Sequence, residues 1–411
     1  MILHVDGDAF FVSCELTRRP DLHGLPVITG GERGIASAMS YEAKALGITR
    51  GMPVFQIRKL FPQVVVLGSD FELYEHYSRR MYEIVRRHST RVEEYSIDEC
   101  FSLLRQGYAG QALPDIARQI KRELQSELGM TFSLGLAPTK VLAKLGSKRD
   151  KPDGLVITDE SNFTRELYHM PVGKIWGVGR QTEKLLYAYG VDTVGKFAML
   201  PHSFLVQHFA SPIHDLWQEV RGESVMPVGA GDLSKHKSIQ KTRTFHPNTD
   251  STSILFSHLA KNIENAFTYA RALNLSASII NIFILTSDFR YRGVDIKLSN
   301  FTNTPEEVLG KSRKLLPKLI KRGEVYRKTG VTLLDTQAID TPLGGSVVRD
   351  LFDEYKTRDK FTGAHHAMDR LNERYGTRVI STASTLSSRQ LSSSTAKLES
   401  LPRLPSLGDV W

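Results

Sequence analysis

Arg91–Phe101, RVEEYSIDECF, constrains the fold more than any other stretch of the chain. Asp98 and Glu99 stand side by side within an apolar and aromatic flank, and Ser96, Asp98 and Cys100 alternate with Ile97, Glu99 and Phe101. Alternation of this kind suits a strand or a tight hairpin better than a helix. Two adjacent carboxylates in such a setting repel each other. A divalent cation removes that repulsion; a solvated acidic turn avoids it. The stretch alone leaves both readings open.

The first residues, MILHVDGDAFFVSCE, narrow the choice. Ile2, Leu3 and Val5 lead into Asp6, and Gly7 permits close backbone approach. A buried strand ending in Asp-Gly-Asp presents carboxylates at its C-terminal end, where open α/β sheets place their ligands. Acidic groups from two strands suit two hard cations bridging phosphate oxygens.

At 411 residues the chain is too long for one ordinary core, so about two to four domains are expected. Its hydrophobic share of 41% and charged share of 24% are those of a globular protein, which excludes a wholly disordered chain. No apolar run approaches the roughly 20 residues that span a bilayer. The first residues lack a basic region and a cleavage site, so no signal peptide is expected. The two cysteines, Cys14 and Cys100, lie in apolar surroundings beside the acidic motifs. They read as small core residues in a reducing compartment, which points to the cytoplasm.

Formal net charge is +9, and it is concentrated. Residues 235–340 hold 17 Lys and Arg against 9 Asp and Glu, an excess of 8. A basic segment of this kind suggests a polyanion partner, most often nucleic acid.

VDGDAFFVSCE, SYEAKALGITRGM, YSIDECF, GLAPTKVLAKLGSKRDKPDG and the WGVG turn follow one another in that order. Together they resemble a Y-family (translesion) DNA polymerase, in the bacterial branch that holds DNA polymerase IV and the catalytic subunit of DNA polymerase V. The resemblance covers roughly residues 1–342. It implies an α+β, multidomain right-hand polymerase. The implied domains are a palm (1–10 and 69–165), small fingers (11–68), a helical thumb with a helix-hairpin-helix (166–232) and a little finger (233–342). Residues 343–411 form a C-terminal tail, partly disordered.

The site residues follow from the same resemblance. Asp6, Asp98 and Glu99 would hold two Mg2+ ions, with Mn2+ as a substitute, and the Gly7 carbonyl would complete one metal shell. Phe11 is the implied steric gate, its ring standing where a ribose 2′-OH would sit; Phe10 is either its companion at the nucleotide or core packing. Ser40, Tyr41 and Lys44 place a hydroxyl, a phenol and an ammonium on one short stretch, a set suited to a triphosphate. Many relatives carry Arg at the Lys44 position; Lys keeps the charge and loses the bidentate fork. Lys151 matches the lysine that contacts the triphosphate.

Residues 70–90 have apolar residues at helical spacing and read as a helix packing on a sheet, with its Tyr and Met stripe in the core. A second amphipathic helix is expected over 112–128. VLAKLGSKRDKPDG is expected to be helical until Gly146. Gly177-Val178-Gly179 reads as a tight hairpin opening a helix that Gly190 ends, with backbone N–H groups placed to hold a DNA phosphate. Residues 228–237 read as a Gly-rich, basic linker. Beyond it the pattern predicts a β-α-β-β-α-β order, with Lys237, Ser238, Lys241 and Arg243 on an edge strand as phosphate contacts.

The implied activity is template-directed DNA synthesis from dNTPs on a primer–template, with low fidelity, no proofreading and a role in translesion synthesis. The alternative is a non-catalytic DNA-binding subunit of the same fold that needs partner proteins. A nucleotide cyclase of palm fold is a further rival, but it needs neither the glycine hairpin nor the basic final domain. Val348–Phe352, VRDLF, keeps the Leu-Phe end of a sliding-clamp peptide without its Gln, and Gln390-Leu391 is a poorer match. Accessory subunits of the polymerase V type are the other expected partners. The Ser-rich stretch SSRQLSSSTAKLES reads as disordered.

Overall fold

The structure is a computed structural model that describes residues 1–31, 34–105, 112–229, 238–339, 354–375 and 380. Lys237, Val348–Phe352, Gln390-Leu391, nearly all of the 228–237 linker and the Ser-rich tail lie outside the described residues. The chain divides into two compact units, Met1–Asp232 and Leu233–Trp411.

The first unit is built on β1 (Ile2–Gly7), whose apolar residues are buried on both faces of a sheet. Helix α1 (Phe10–Arg18) follows through Ala9, which adopts a left-handed conformation at φ 46°. A small three-stranded sheet comes next, from β2 (Val27–Thr29), β3 (Ala38–Met39) and β4 (Val65–Leu67), in the order β3-β2-β4. Helices α2 (Tyr41–Ala45) and α3 (Val54–Leu60) pack on it around Ile28, Ala43, Ile48, Val54 and Ile57. The SYEAKALG helix thus stops at Ala45, and Gly47, at φ 89°, turns the chain.

Helix α4 (Phe71–Arg86) leads into a hairpin of β5 (Val92–Ser96) and β6 (Glu99–Leu103). Then come α5 (Leu113–Leu128), β7 (Phe132–Ala137), α6 (Lys140–Arg149) and β8 (Leu155–Ile157). The five strands form one sheet in the order β5-β6-β1-β7-β8, parallel only between β7 and β8. Period-two alternation sorts the side chains. Leu3, Val5, Cys100, Phe132 and Leu134 pack against α4 and α5, while Ile2 and Phe101 pack on the opposite side with α6. Both cysteines are free and buried in this core.

Helix α6 runs past Gly146 to Arg149, contrary to the expected stop. Gly146 is there for fit: a Cβ on it would lie 3.4 Å from Val156 and 3.5 Å from the Gly135 Cα. Gly135 is tighter still, since a Cβ there would stand 2.0 Å from the Ala143 carbonyl oxygen. Two glycines facing each other let helix and sheet touch backbone to backbone, so the contact outweighs glycine's poor helix propensity, a cost of about 1 kcal/mol.

The rest of this unit is helical: α7 (Phe163–Leu167), α8 (Arg180–Ala188), α9 (Val194–Ala198), α10 (His202–His208) and α11 (Ser211–Val220). Leu167, Leu186, Phe197, Leu205 and Leu216 share one core with Val141, Leu142 and Leu145 of α6. Glu219, fully buried, fastens the join: its carboxylate accepts from the amides of Val141, Val225 and Met226 at 3.3, 2.8 and 2.8 Å.

The second unit runs β9 (Ser238–Thr249), α12 (Thr252–Ala272), β10 (Leu275–Thr286), β11 (Tyr291–Thr302), α13 (Glu306–Leu319) and β12 (Tyr326–Ala338), the β-α-β-β-α-β order read from the pattern. Its antiparallel sheet is ordered β11-β10-β12-β9, with β9 at an edge. Both helices cover one face through Leu259, Ile263, Phe267 and Val308. A final helix, α14 (Glu354–Tyr375), is tied back through Asp369 to Arg271 at 2.6 and 3.0 Å.

Candidate active site

The β1–β6 register sets Asp6 directly across from Glu99. Asp98 occupies the two-residue turn between β5 and β6, and its carbonyl accepts the Gly7 amide at 2.9 Å. All three acidic residues therefore meet at one end of the central strand pair. Ligand atoms of His4, Asp6 and Glu99 lie within 4.8 Å of one another. His4 was not foreseen, though it sits two residues before Asp6 on the same face of β1.

Charge at this point is heavily arranged. Burial pushes Asp6 up to about 6, with Glu99 and Asp98 adding to the rise and the Lys151 ammonium opposing it. Burial also acts to raise Glu99, but hydrogen bonds from His4 and Lys144 outweigh it and hold this carboxyl down at about 2. Burial lowers His4 to about 4, so its ring is neutral at pH 7. Its Nε2 lies 3.2 Å from Glu99 and its Nδ1 lies 2.7 Å from the Ser147 hydroxyl. The ionised carboxylate can only accept, so Nε2 carries the proton. With both ring nitrogens engaged, His4 orients Glu99 and is not itself free to take a cation. Lys144, on α6, donates to Glu99 at 2.8 Å.

The donor set fits hard divalent cations. Asp6, Asp98 and Glu99 offer oxygen ligands, the kind that Mg2+ and Mn2+ prefer. The rise in Asp6 is chiefly the cost of burying its charge, and the Lys151 ammonium pairs with Asp6 and sits 3.5 Å from Asp8 as a stand-in cation.

A cleft of about 620 Å³ opens beside these carboxylates, lined by Asp6, Gly7, Phe10, Phe11, Tyr41, Lys44, Asp98 and Lys151. Most of the residues expected at a nucleotide are thus brought together. Phe10 is buried against Gly7, where an added Cβ would strike its ring at 2.6 Å. Phe11 stacks on Tyr74. Ser40 does not line the cleft: its buried hydroxyl caps α2 at the Ala43 amide (3.2 Å) and bonds the backbone of Val27 and Leu25. It positions Tyr41 and Lys44 instead of facing the space they enclose.

Asp8 and Arg50 were missed. Arg50 lines the cleft from the turn after α2; a basic residue just beyond the Lys44 helix was the available signal. Asp8 is buried and accepts from Ser133 Oγ at 2.8 Å, the Asp153 amide at 2.8 Å and Tyr41 Oη at 3.3 Å. It thereby joins three segments of the chain around the cleft.

The other described residues expected to contact DNA stand on the glycine hairpin and on β9. Gly177, at φ 92°, is pinned by Leu216, and Gly179 begins α8 with no side-chain cap on the helix amides. Val178 lies between them, its amide donating to the Ile175 carbonyl at 3.1 Å. On β9, Lys241 and Arg243 pair with Val331 and Thr329, which face the helices, and Lys241 lies 4.1 Å over the Tyr269 ring of α12. Ser238 pairs with Leu334 in the alternate register, on the face away from the helices.

The family model described as impB/mucB/samB family matches residues 5–148, and that of its C-terminal domain matches residues 236–342. The chain is 31% identical over 389 residues to DNA polymerase IV of Desulfatibacillum aliphaticivorans, spanning 93% of this chain and 96% of that one. The chain belongs to this family of Y-family DNA polymerases. DNA polymerase IV of Methanoculleus marisnigri is 34% identical over 350 residues, with 81% of this chain and 93% of the relative covered. A Y-family DNA polymerase chimera of Dbh and Dpo4 superposes with a TM-score of 0.71 at 22% identity, over 82% of this chain and 99% of its own. That likeness supports the α+β polymerase fold. Among the described residues no helix is long and apolar enough to cross a membrane.

Proposed function

We propose that this family member is a template-directed DNA polymerase that extends a primer 3′-OH with dNTPs during translesion synthesis. It is a DNA-directed DNA polymerase, and the relatives named DNA polymerase IV carry that assignment. One observation supports the location of the chemistry: Asp6 and Glu99 meet across β1 and β6 at the mouth of a cleft holding Phe11, Tyr41, Lys44 and Lys151. The large central sheet with α4–α6 serves as palm, the small sheet as fingers, α7–α11 as thumb and the second unit as little finger.

Asp6, Asp98 and Glu99, with the Gly7 carbonyl, would hold two Mg2+ ions, which supply activation of the 3′-OH and neutralise charge on the triphosphate. Lys151 then exchanges its carboxylate partner for phosphate oxygens, and Lys44 and Arg50 meet the same anion from the fingers. Phe11, backed by Tyr74, closes the space beside the sugar. The hairpin Gly177–Gly179 offers amides to a backbone phosphate, and β9 offers Ser238 on its open face, with Lys237 before it; Lys241 and Arg243, turned towards α12, add their charge along the strand edge. Two partner proposals accompany this reading: a sliding clamp met through Val348–Phe352, and accessory subunits of the polymerase V type. Cytoplasmic residence is the matching location.

Primer extension with purified protein and Mg2+ on an undamaged template, with Asp98→Ala run beside it, tests the reading. Extension by the native chain only is the expected result. Equal extension by both would overturn the site, and none by either, even with cell extract, would favour the DNA-binding subunit.

A further inference from the structure

The Lys144 ammonium that bonds Glu99 is enclosed on its other sides by aromatic rings. Its Nζ lies 4.3 Å from the Tyr95 centroid, 5.2 Å from Trp176 and 5.9 Å from Phe101. The rings brace one another: Tyr95 and Trp176 meet edge to face at 5.1 Å, and the Trp176 indole N–H donates to Tyr95 Oη at 3.0 Å. Phe101 sits 5.7 Å from each. Lys144 itself is 6% exposed.

Two walls of this box, Tyr95 and Phe101, stand on the hairpin that carries Asp98 and Glu99. The third, Trp176, comes from the thumb, one residue before its glycine hairpin. We propose that Trp176 is a positioning residue for Glu99: by closing the ring box over Lys144 it fixes the ammonium that orients this metal-binding carboxylate. The thumb thereby completes the metal site of the palm.

The physical case turns on how the two partners of Glu99 are fixed. His4 is held by full burial and by Ser147. Lys144 has a long, rotamer-rich stem, and the rings are what confine its head. A cation over ring faces is attracted to them, so the ammonium is stabilised even when Glu99 turns its charge to a divalent ion. Opened to water, the same ammonium would be hydrated and would swing away. Partners one shell out from a metal typically alter its affinity by tenfold or more.

The inference rests on Asp6 and Glu99 being metal ligands. Mn2+ binding, followed by electron paramagnetic resonance on the full-length protein with a dideoxy-terminated primer–template, tests it without turnover. Trp176→Ala and Tyr95→Ala should each weaken Mn2+ binding about tenfold or more. The double variant should be no weaker than the worse single one, because both remove walls of one box. Trp176→Phe, which keeps a ring, should recover most of the affinity. DNA affinity of Tyr95→Ala in EDTA should equal that of the native chain, and this palm variant carries the test if Trp176→Ala disturbs the thumb. Native-like Mn2+ affinity in Tyr95→Ala overturns the box, as does a loss of DNA affinity in EDTA matching the Mn2+ loss. A native protein that binds no Mn2+ overturns the metal reading with it.

Discussion

Phe11 lies flat against Tyr74, ring centroids 4.4 Å apart and planes within 10°. Tyr74 is itself fixed, fully buried and donating to Glu15 at 2.6 Å, and Phe71 closes on both rings edge-on. The ring facing the cleft therefore has a rigid back and cannot yield to a larger sugar. Phe11→Ala should admit ribonucleotides, lowering the dNTP/rNTP ratio of kcat/KM by about a hundredfold, the scale on which a pocket discriminates small groups. Single-nucleotide insertion kinetics measure this directly. Unchanged discrimination would remove Phe11 from the role.

Asp98 contributes a side chain to the cleft and a carbonyl to the turn that holds Gly7. Asp98→Ala alters only the former. Synthesis should fall by about a thousandfold or more, the worth of several kcal/mol of transition-state charge stabilisation, while primer–template affinity stays within about twofold of native, since surface changes away from a contact matter little. Anisotropy binding run beside extension separates the two, and a parallel loss of both would point to misfolding instead.

Asp8 gathers donors from Tyr41, Ser133 and Asp153. Asp8→Ala strands the buried Ser133 hydroxyl and releases the Tyr41 phenol and the Asp153 amide, at a cost of roughly 1–3 kcal/mol. The urea midpoint should drop accordingly, and KM for dNTP should rise because Tyr41 and the Lys151 loop lose a common anchor. A stable variant with native KM would show that the join is dispensable.

His258 stacks on Phe245 at 4.7 Å, and burial, then Arg243 and Lys261, lower it to about 4. An unfolded histidine titrates near 6.5. The unfolded chain thus binds the extra proton first on acidification. Stability of the second unit is full above about pH 6.5 and declines as pH falls towards 4. Hydrogen exchange of β10 and β12 across that range should show the decline, and His258→Leu should flatten it. An identical slope in the variant would assign the effect elsewhere.

Much of this was legible in the chain because short-range rules govern it. The alternation in YSIDECF and the apolar lead into Asp6 were enough to place strands and to put their carboxylates at strand ends. The helix of Phe71–Arg86 and the β-α-β-β-α-β order followed from periodicity. What escaped was non-local. Nothing near Lys144 announces Glu99, because the contact arises only where Gly135 lets α6 settle on the sheet. Ser40 carried the right chemistry, yet its hydroxyl was claimed by the helix that it caps. Lys241 and Arg243 are on the edge strand as expected, but register turns them towards α12. Asp8 was in plain view, but it stands in the turn after β1, where the period of two no longer applies, and its donors come from distant segments.

That same period makes β1 unforgiving at the level of the gene. Both of its edges are paired, to β6 and to β7, and each pairing is fixed by which side chains are apolar. Loss of a single codon between residues 2 and 6 would move every later side chain of the strand to the opposite face. Asp6 would then point at α4 and α5, and Gly7 would take its place at the cleft. Codon losses of this kind should be absent from functional alleles.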